Sequence, residues 1–163
     1  MSNRHIARKQ MLLFEPDTLF RRTVAMTARA LNLGHIHEAA SVLTATRMLS
    51  MTAFHGAIIA VRLAPTDPPA YDLSLLDRVR AGKSASHRDM PIAVMVEQCD
   101  LDLLASLQAR AVSRVLLKPF RVRVLLDSFA DLARCADLPD RSAGQDRTTA
   151  SAPPDGYHGD RNS

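Results

Sequence analysis

The fold is decided by residues 54–63, which read FHGAIIAVRL. Residues 57–61 contain no polar side chain and no alternation of polar and apolar positions. This pattern predicts a strand that helices cover on both faces, because a strand with one face in water carries polar residues at every second position. In an open parallel sheet, functional groups lie just beyond the carboxyl ends of the strands. Here that position is Ala60, which has no reactive group.

On both sides of this stretch, short apolar runs alternate with longer segments of helical periodicity. The other predicted strands are residues 11–14, 35–38, 91–96 and 112–117. The predicted helices are residues 17–33, 39–51, 73–80, 100–109 and 121–134. Five strands that alternate with five helices through short connections predict a parallel sheet with helices on both faces.

The patterns within two helices also predict which side faces the core. In the first helix the apolar stripe consists of Leu19, Phe20, Val24, Met26, Ala30 and Leu31. Arg21, Arg22 and Arg29 are expected to lie outside it. In the last helix the stripe consists of Val122, Leu125, Leu126, Phe129, Leu132 and Ala133. The segment 64–70, which is rich in proline, predicts a loop.

The composition is typical of one domain with polar ends. Of the 163 residues, 47% are hydrophobic and 23% are charged, which is enough apolar material for a packed core. Residues 136–163 have almost nothing to bury, so we expect a disordered tail. The expected organisation is a basic, flexible arm (1–9), a domain (10–135) and this tail.

The sequence also argues against several classes of protein. No apolar run approaches the roughly 20 residues of a membrane-spanning helix, and no signal peptide is present, so we expect a cytoplasmic protein without membrane insertion. Cys99 and Cys135 have no metal-binding spacing. His35 and His37 would share one face of a strand, but no third ligand accompanies them. A net charge of +4 attracts nucleic acid only weakly, so we do not expect nucleic acid as a partner.

The order of the elements and the residues that end them resemble the receiver domains of bacterial two-component response regulators, the CheY-like family. The resemblance covers residues 10–134. It rests on residues 12–17 (LLFEPD), 54–63, 91–96 and 116–120 (LLKPF), of which the last is the most specific. The resemblance implies a flavodoxin-like (βα)5 three-layer fold, whose five-stranded parallel sheet has the order 2-1-3-4-5.

In that family, a histidine kinase transfers a phosphoryl group to an aspartate at the end of the third strand. The resemblance places Ala60 at this position, and alanine has no oxygen to accept the group. It places Glu15 and Pro16 at the acidic pair that holds magnesium, and proline lacks a side-chain oxygen. Val96 replaces the hydroxyl residue that senses phosphorylation. Only Lys118, the cation that contacts the phosphoryl group, is retained.

These substitutions predict a pseudo-receiver that has the fold but not the phosphotransfer chemistry. The expected vestigial pocket consists of Glu15, Asp17, Ala60, Val96 and Lys118. We expect Asp17 to cap the following helix, and Glu15 and Lys118 to balance each other's charge. We therefore expect no phosphoacceptor, no catalytic residue, no bound magnesium or other cofactor, and no enzymatic activity.

Four arginines around the fourth and fifth helices form the predicted partner-binding surface: Arg110, Arg114, Arg121 and Arg123. In the receiver family, the face made by the fourth helix, fifth strand and fifth helix is the usual docking and dimerisation surface. The resemblance thus implies a stand-alone signalling protein that binds a signalling partner, or a second copy, independently of phosphorylation.

Two alternatives stay open at this point. In the first, the same arginines bind an anionic nucleotide or RNA. In the second, Asp67 or Asp72 serves as a displaced phosphoacceptor, because the loop after the third strand is several residues longer than is typical of the family. A proline-rich loop is, however, a poor mount for a group that must be held rigidly beside a metal ion.

Overall fold

A central parallel sheet of five strands organises the computed structural model, which describes residues 9–136. The strands of this sheet are β1 Gln10–Phe14, β2 His35–Ala39, β3 Gly56–Ala60, β6 Ile92–Val96 and β7 Arg114–Leu117. Two short strands, β4 Leu63–Ala64 and β5 Ala70–Tyr71, form a separate antiparallel hairpin. The helices are α1 Thr18–Ala30, α2 Val42–Met51, α3 Ser74–Arg80, α4 Leu101–Ala109 and α5 Val122–Cys135.

The sheet has the order β2-β1-β3-β6-β7, which is 2-1-3-4-5 when only its own strands are counted. The predicted flavodoxin-like fold is therefore confirmed. Strand β3 lies at the centre, with Ile58 paired to Leu13 of β1 and to Ala93 of β6. All five residues of β3 are buried, because α1 and α5 pack together on one side of the sheet and α2 and α3 on the other.

Aspartates fix the beginnings of two helices close to the ends of the strands that precede them. Asp17 Oδ1 accepts a hydrogen bond from the backbone N–H of Phe20 at 2.7 Å. Asp100 Oδ1 accepts one from the backbone N–H of Leu103, also at 2.7 Å. Each bond satisfies a donor that the first helical turn leaves unpaired. The predicted cap at Asp17 is confirmed. Both caps lie at the edge of the sheet where the strands end, which we call the carboxyl edge.

The core-facing side of α1 differs from the prediction. Four apolar residues of the predicted stripe are exposed: Leu19, Met26, Ala30 and Leu31. Arg21, by contrast, is only 8% exposed. Its guanidinium donates to the carbonyl oxygen of Glu15 at 2.8 Å and lies 3.6 Å from a carboxylate oxygen of Glu38. The buried charge of Arg21 is thus compensated by groups of the chain itself. The rest of the buried face of α1 consists of Val24, Ala25 and Ala28. The stripe of α5, in contrast, is buried or partly buried as predicted.

Element boundaries differ from the prediction in several places, among them the end of α1, which is Ala30 rather than residue 33. Ala39 ends β2 rather than beginning a helix, because its carbonyl oxygen accepts a hydrogen bond from the N–H of Glu15 and extends the sheet. Strand β7 begins at Arg114 rather than at residue 112. The segment 64–70, predicted as a loop, contains most of the β4–β5 hairpin, in which Leu63 pairs with Tyr71.

The predicted arm and tail fall outside the described residues except for Lys9 and Ala136, so both stay predictions. Within residues 9–136, every helix is too short or too polar to cross a bilayer.

Candidate functional site

The residues of the predicted vestigial pocket all lie at the carboxyl edge of the sheet, but Glu15, Asp17 and Lys118 line one cavity there and Ala60 lines another. Ala60 is the last residue of β3 and is 3% exposed, and Val96 is the last residue of β6 and is 1% exposed. Glu15 directly follows β1, and Lys118 directly follows β7. Because parallel strands all end at the same edge, residues distant in sequence are brought together there.

The central polar contact of the site is an ion pair between Glu15 and Lys118. Lys118 Nζ lies 2.7 Å from Glu15 Oε2, and the Glu15 side chain is 2% exposed. The other carboxylate oxygen, Oε1, accepts a hydrogen bond from the backbone N–H of Asp17 at 2.9 Å. Both oxygens of this buried carboxylate are therefore occupied by groups of the chain itself, as a buried charge requires.

Lys118 has further contacts that fix its position. Its ammonium lies 5.6 Å from the centre of the Phe20 ring, within the range of a cation–π interaction. The Phe20 ring meets Phe120 edge-to-face with 5.8 Å between the ring centres. The backbone N–H of Lys118 donates to the carbonyl oxygen of Val96 at 2.8 Å. Lys118 is thus held in place by contacts within the chain.

Arg21 is part of this site, although the sequence patterns assigned it to the outer face of α1. Its Nη1 donates to the carbonyl oxygen of Glu15 at 2.8 Å and approaches that of Pro16 at 3.4 Å. The carbonyl is the only oxygen that Pro16 has, and it faces this guanidinium. Arg21 therefore stabilises the turn between β1 and α1 through hydrogen bonds from its charged guanidinium to backbone carbonyl groups. No sequence pattern reveals such a role, since the acceptors are backbone groups.

Two cavities open beside these residues. The larger, of about 560 Å³, runs between α1 and the segment after β7 and is lined by Glu15, Phe20, Lys118 and Phe120 among others. The smaller, of about 240 Å³, lies beside Ala60 and under the hairpin. Arg62 lines both.

The described residues bring together no group of three or more His, Cys, Asp or Glu side chains suited to a metal ion. His35 and His37 do share one side of β2, with 4.6 Å between their ring centres. His37 Nε2 lies 2.6 Å from the side-chain oxygen of Gln10. Burial is the main cause that lowers the pKa of His37, and the neighbouring His35 and Arg29 lower it further.

The four arginines of the predicted partner-binding surface fall into two pairs with different roles. Arg110 Nε lies 2.6 Å from Asp77 of α3, and Arg114 Nη2 lies 2.6 Å from Asp131 of α5. These two arginines are therefore engaged with different helices of the chain. A hydrogen bond from Arg134 is the main cause that lowers the pKa of Asp131, and Arg114 adds to it.

The other two, Arg121 and Arg123, are exposed at the beginning of α5. Within residues 9–136 neither forms an ion pair. The structure thus leaves two of the four guanidinium groups available to a partner and commits the other two to intramolecular contacts.

Asp72 and Asp67, the alternative phosphoacceptors, differ in their surroundings. Asp72 Oδ1 accepts hydrogen bonds from the backbone N–H and the hydroxyl of Ser74, at 3.0 and 2.5 Å, so this carboxylate helps to begin α3. It also lines the cavity beside Ala60. Asp67 lies in the turn between β4 and β5. Among the described residues, neither belongs to a group of three or more His, Cys, Asp or Glu side chains that could hold a metal ion.

No protein-family model and no curated protein matches this chain. Among solved structures, it is similar to a CheY-like response regulator receiver domain protein from Methanospirillum hungatei JF-1, with a TM-score of 0.65 and 14% identity over 79% of this chain and 96% of the other. It is also similar to the chemotaxis protein CheY4 of Vibrio cholerae, with a TM-score of 0.65 and 17% identity over 77% and 99%. A third similar structure is the signal receiver domain of a putative Luxo repressor protein from Vibrio parahaemolyticus, with a TM-score of 0.66 and 16% identity over 79% and 92%.

These similarities cover nearly the whole of each receiver domain. The sequence identity is so low, however, that only the backbone architecture can be compared. They agree with the strand order and with the alternation of strands and helices. The chain therefore has the fold of the response regulator receiver domains.

Proposed function

We propose that this chain is a receiver-like signalling protein that acts by binding another protein, without phosphorylation of an aspartate. The observation that carries the proposal is the position of Ala60. It is the last residue of the central strand, almost fully buried at the carboxyl edge, where a receiver of the conventional kind has its phosphoacceptor. A methyl group has no lone pair to attack phosphorus, so no acyl phosphate forms there.

The neighbouring positions support the same conclusion. Pro16 and Val96 supply no side-chain oxygen for magnesium or for a phosphoryl group. Glu15 and Lys118 neutralise each other at 2.7 Å, so the remaining carboxylate and cation of the site are both occupied. A divalent ion could bind at Glu15 only if Lys118 first left this carboxylate, so the ion pair disfavours metal binding here.

The partner-binding surface that we propose is the face formed by α4, β7 and α5. It combines Arg121 and Arg123 with four exposed apolar side chains: Leu101 (83%), Leu104 (36%), Leu117 (56%) and Val124 (40%). Exposed apolar groups gathered on one surface are typical of protein interaction sites, and arginine is enriched in such interfaces. The partner is a second signalling protein or a second copy of this chain.

A capture experiment tests this surface. The full chain is used as bait in its native cell extract, and the bound proteins are compared with those of the variant Arg121→Glu/Arg123→Glu. The matched control is Arg22→Glu/Arg47→Glu, which reverses two exposed charges on α1 and α2. We expect the first variant to lose the bound partner and the control to retain it.

The same capture with acetyl phosphate and magnesium separates the two parts of the proposal. We expect equal recovery of the partner with and without these reagents. Recovery only in their presence would contradict phosphorylation-independent action while leaving the surface intact.

An anionic nucleotide is the second candidate ligand, because Arg121 and Arg123 form no ion pair within residues 9–136. The engagement of Arg110 and Arg114 with Asp77 and Asp131 counts against a site built from all four. Calorimetric titration with cyclic dinucleotides and with short RNA distinguishes the candidates, because a protein adaptor gives no saturable heat with either.

A further inference from the structure

A small cavity lies beside Ala60 at the carboxyl edge of the sheet. Its volume is about 240 Å³, several times the roughly 30 Å³ that one water molecule occupies in the liquid. The apolar part of its lining comes from the ends of β1 and β3, from α2, from the hairpin and from α3: Phe14, Val42, Ile59, Ala60, Leu63 and Leu75. The cavity is thus smaller than most drug-binding pockets but large enough for a compact organic molecule.

The hairpin forms one wall of this cavity. Leu63, Ala64 and Pro65 line it from the β4 side. The base of the hairpin is closed by the backbone N–H of Asp72, which donates to the carbonyl oxygen of Arg62 at 2.9 Å.

One positive charge at this cavity has no partner within the described residues. Arg62 lines the cavity and also two others at the same edge. No hydrogen bond or ion pair to residues 9–136 holds its side chain. Asp72, the one acidic residue in the lining, has an oxygen engaged by the N–H and hydroxyl of Ser74. Glu97, which shares the two other cavities with Arg62, is not within ion-pair distance of it.

An apolar cavity beside an unpaired guanidinium is complementary to a molecule with an apolar body and one carboxylate. Guanidinium binds carboxylate with two parallel hydrogen bonds, and the apolar body is removed from water by the cavity walls. We propose that the cavity beside Ala60 binds a small monocarboxylate, with Arg62 as the group that recognises its charge. Binding then supplies an input to this domain that requires neither a phosphoryl group nor a metal ion.

The test is a titration of the full ¹⁵N-labelled chain with benzoate, followed by two-dimensional amide NMR. We expect saturable shifts at Ala60, Leu63 and Ala64. Benzamide, which has the same ring without the charge, and inorganic phosphate, which has charge without an apolar body, are each expected to bind at least about tenfold more weakly.

Variants of the exposed wall keep the test independent of folding defects. Arg62→Gln is expected to weaken benzoate binding by at least about tenfold, whereas the control Arg22→Gln, at an exposed position on α1, leaves it unchanged. Ala64→Leu, on the partly exposed hairpin, is expected to fill the cavity and abolish the shifts; Ala60→Leu is expected to do the same if its spectrum shows a folded domain.

Absence of saturable, localised shifts with benzoate would overturn the proposal. So would equal binding of benzamide, which removes the role of the charge, or unchanged binding by Arg62→Gln, which removes the role of Arg62. Equal binding of inorganic phosphate would overturn the role of the apolar cavity.

Discussion

Lys118 and Glu15, separated by 103 positions in the sequence, meet with 2.7 Å between Nζ and Oε2 at the carboxyl edge of the sheet. The carboxylate is almost completely buried, and a quarter of the lysine side chain is exposed. The pair therefore links the end of β1 to the end of β7 at the carboxyl edge of the sheet. Its role here is structural, because each charge makes burial of the other possible.

The first prediction concerns this pair. Lys118→Met leaves the buried carboxylate of Glu15 without its cation, and removal of one partner from a buried pair typically costs 3–5 kcal/mol. Because Lys118 is partly exposed, we expect a loss of about 2–3 kcal/mol in the free energy of unfolding, measured by urea denaturation.

The double variant Glu15→Gln/Lys118→Met is the control for that prediction. It removes both charges and is expected to recover more than half of the lost stability, because no charge is left buried and unpaired. If Lys118→Met unfolds at the same urea concentration as the wild type, the pair does not have the structural role described.

The second prediction concerns Arg80, which connects the end of α3 to two neighbouring segments of the same chain. Its guanidinium donates hydrogen bonds of 2.6–3.1 Å to four carbonyl oxygens, those of Arg88, Met90, Arg110 and Ala111. Burial lowers its pKa, and nearby Asp89 partly offsets this. We expect Arg80→Met to lose about 2 kcal/mol in the free energy of unfolding, because several carbonyl groups lose their donor together.

Arg78→Met is the matched control, since Arg78 makes one hydrogen bond, to the carbonyl oxygen of Lys83. We expect it to lose less than about 0.5 kcal/mol. Equal losses in the two variants would show that the four hydrogen bonds of Arg80 stabilise the fold no more than the single one of Arg78.

The third prediction concerns pH and His37. Its pKa in the folded protein is below the ordinary value of 6.5, chiefly because of burial. The unfolded chain therefore takes up a proton at a higher pH than the folded chain does. It follows that the free energy of unfolding falls as the pH is lowered through 6.5 towards the folded pKa, and that this group contributes no pH dependence well above 6.5.

Denaturation between pH 5 and pH 8, in the wild type and in His37→Gln, checks this expectation. The variant is expected to show a flatter pH profile, whereas His87→Gln, an exposed position before β6, is expected to follow the wild type. A His37→Gln profile identical to that of the wild type would show that another group causes the pH dependence.

Much of the fold was predictable because its strongest signals are local. The uninterrupted apolar run of β3 predicts a strand covered on both faces, and Asp17 and Asp100 predict the beginnings of α1 and α4. For the site, the position at one edge of the sheet was predictable, since the strands of a parallel sheet end at the same edge and so place Glu15, Ala60 and Lys118 there.

What the sequence did not predict depends on contacts that leave no periodic pattern. Arg21 is buried because backbone carbonyl groups of the preceding turn accept its hydrogen bonds, and no sequence spacing records this. The hairpin β4–β5 has strands of two residues, which are too short to show alternation. Pairing of Arg110 with Asp77 and of Arg114 with Asp131 depends on how α3 and α5 are placed, which the pattern of each segment alone does not fix.

The fourth prediction bears on the proposed absence of phosphotransfer chemistry. It requires a positive control, which is the variant Pro16→Asp/Ala60→Asp/Val96→Thr. This variant restores the two carboxylates and the hydroxyl that the site lacks, so it is expected to bind magnesium and beryllofluoride. If the folded triple variant binds both reagents, the experimental conditions are able to detect an active phosphorylation site.

The most direct measurement is the amide NMR spectrum of the wild-type chain with magnesium and beryllofluoride, which together imitate a phosphorylated aspartate. Without an acceptor at Ala60, the amides of Val96 and Lys118 are expected to keep their positions at reagent concentrations that shift them in the triple variant. Site-specific, saturable shifts of these two amides in the wild type would contradict the central claim, because they would show a functional phosphorylation site.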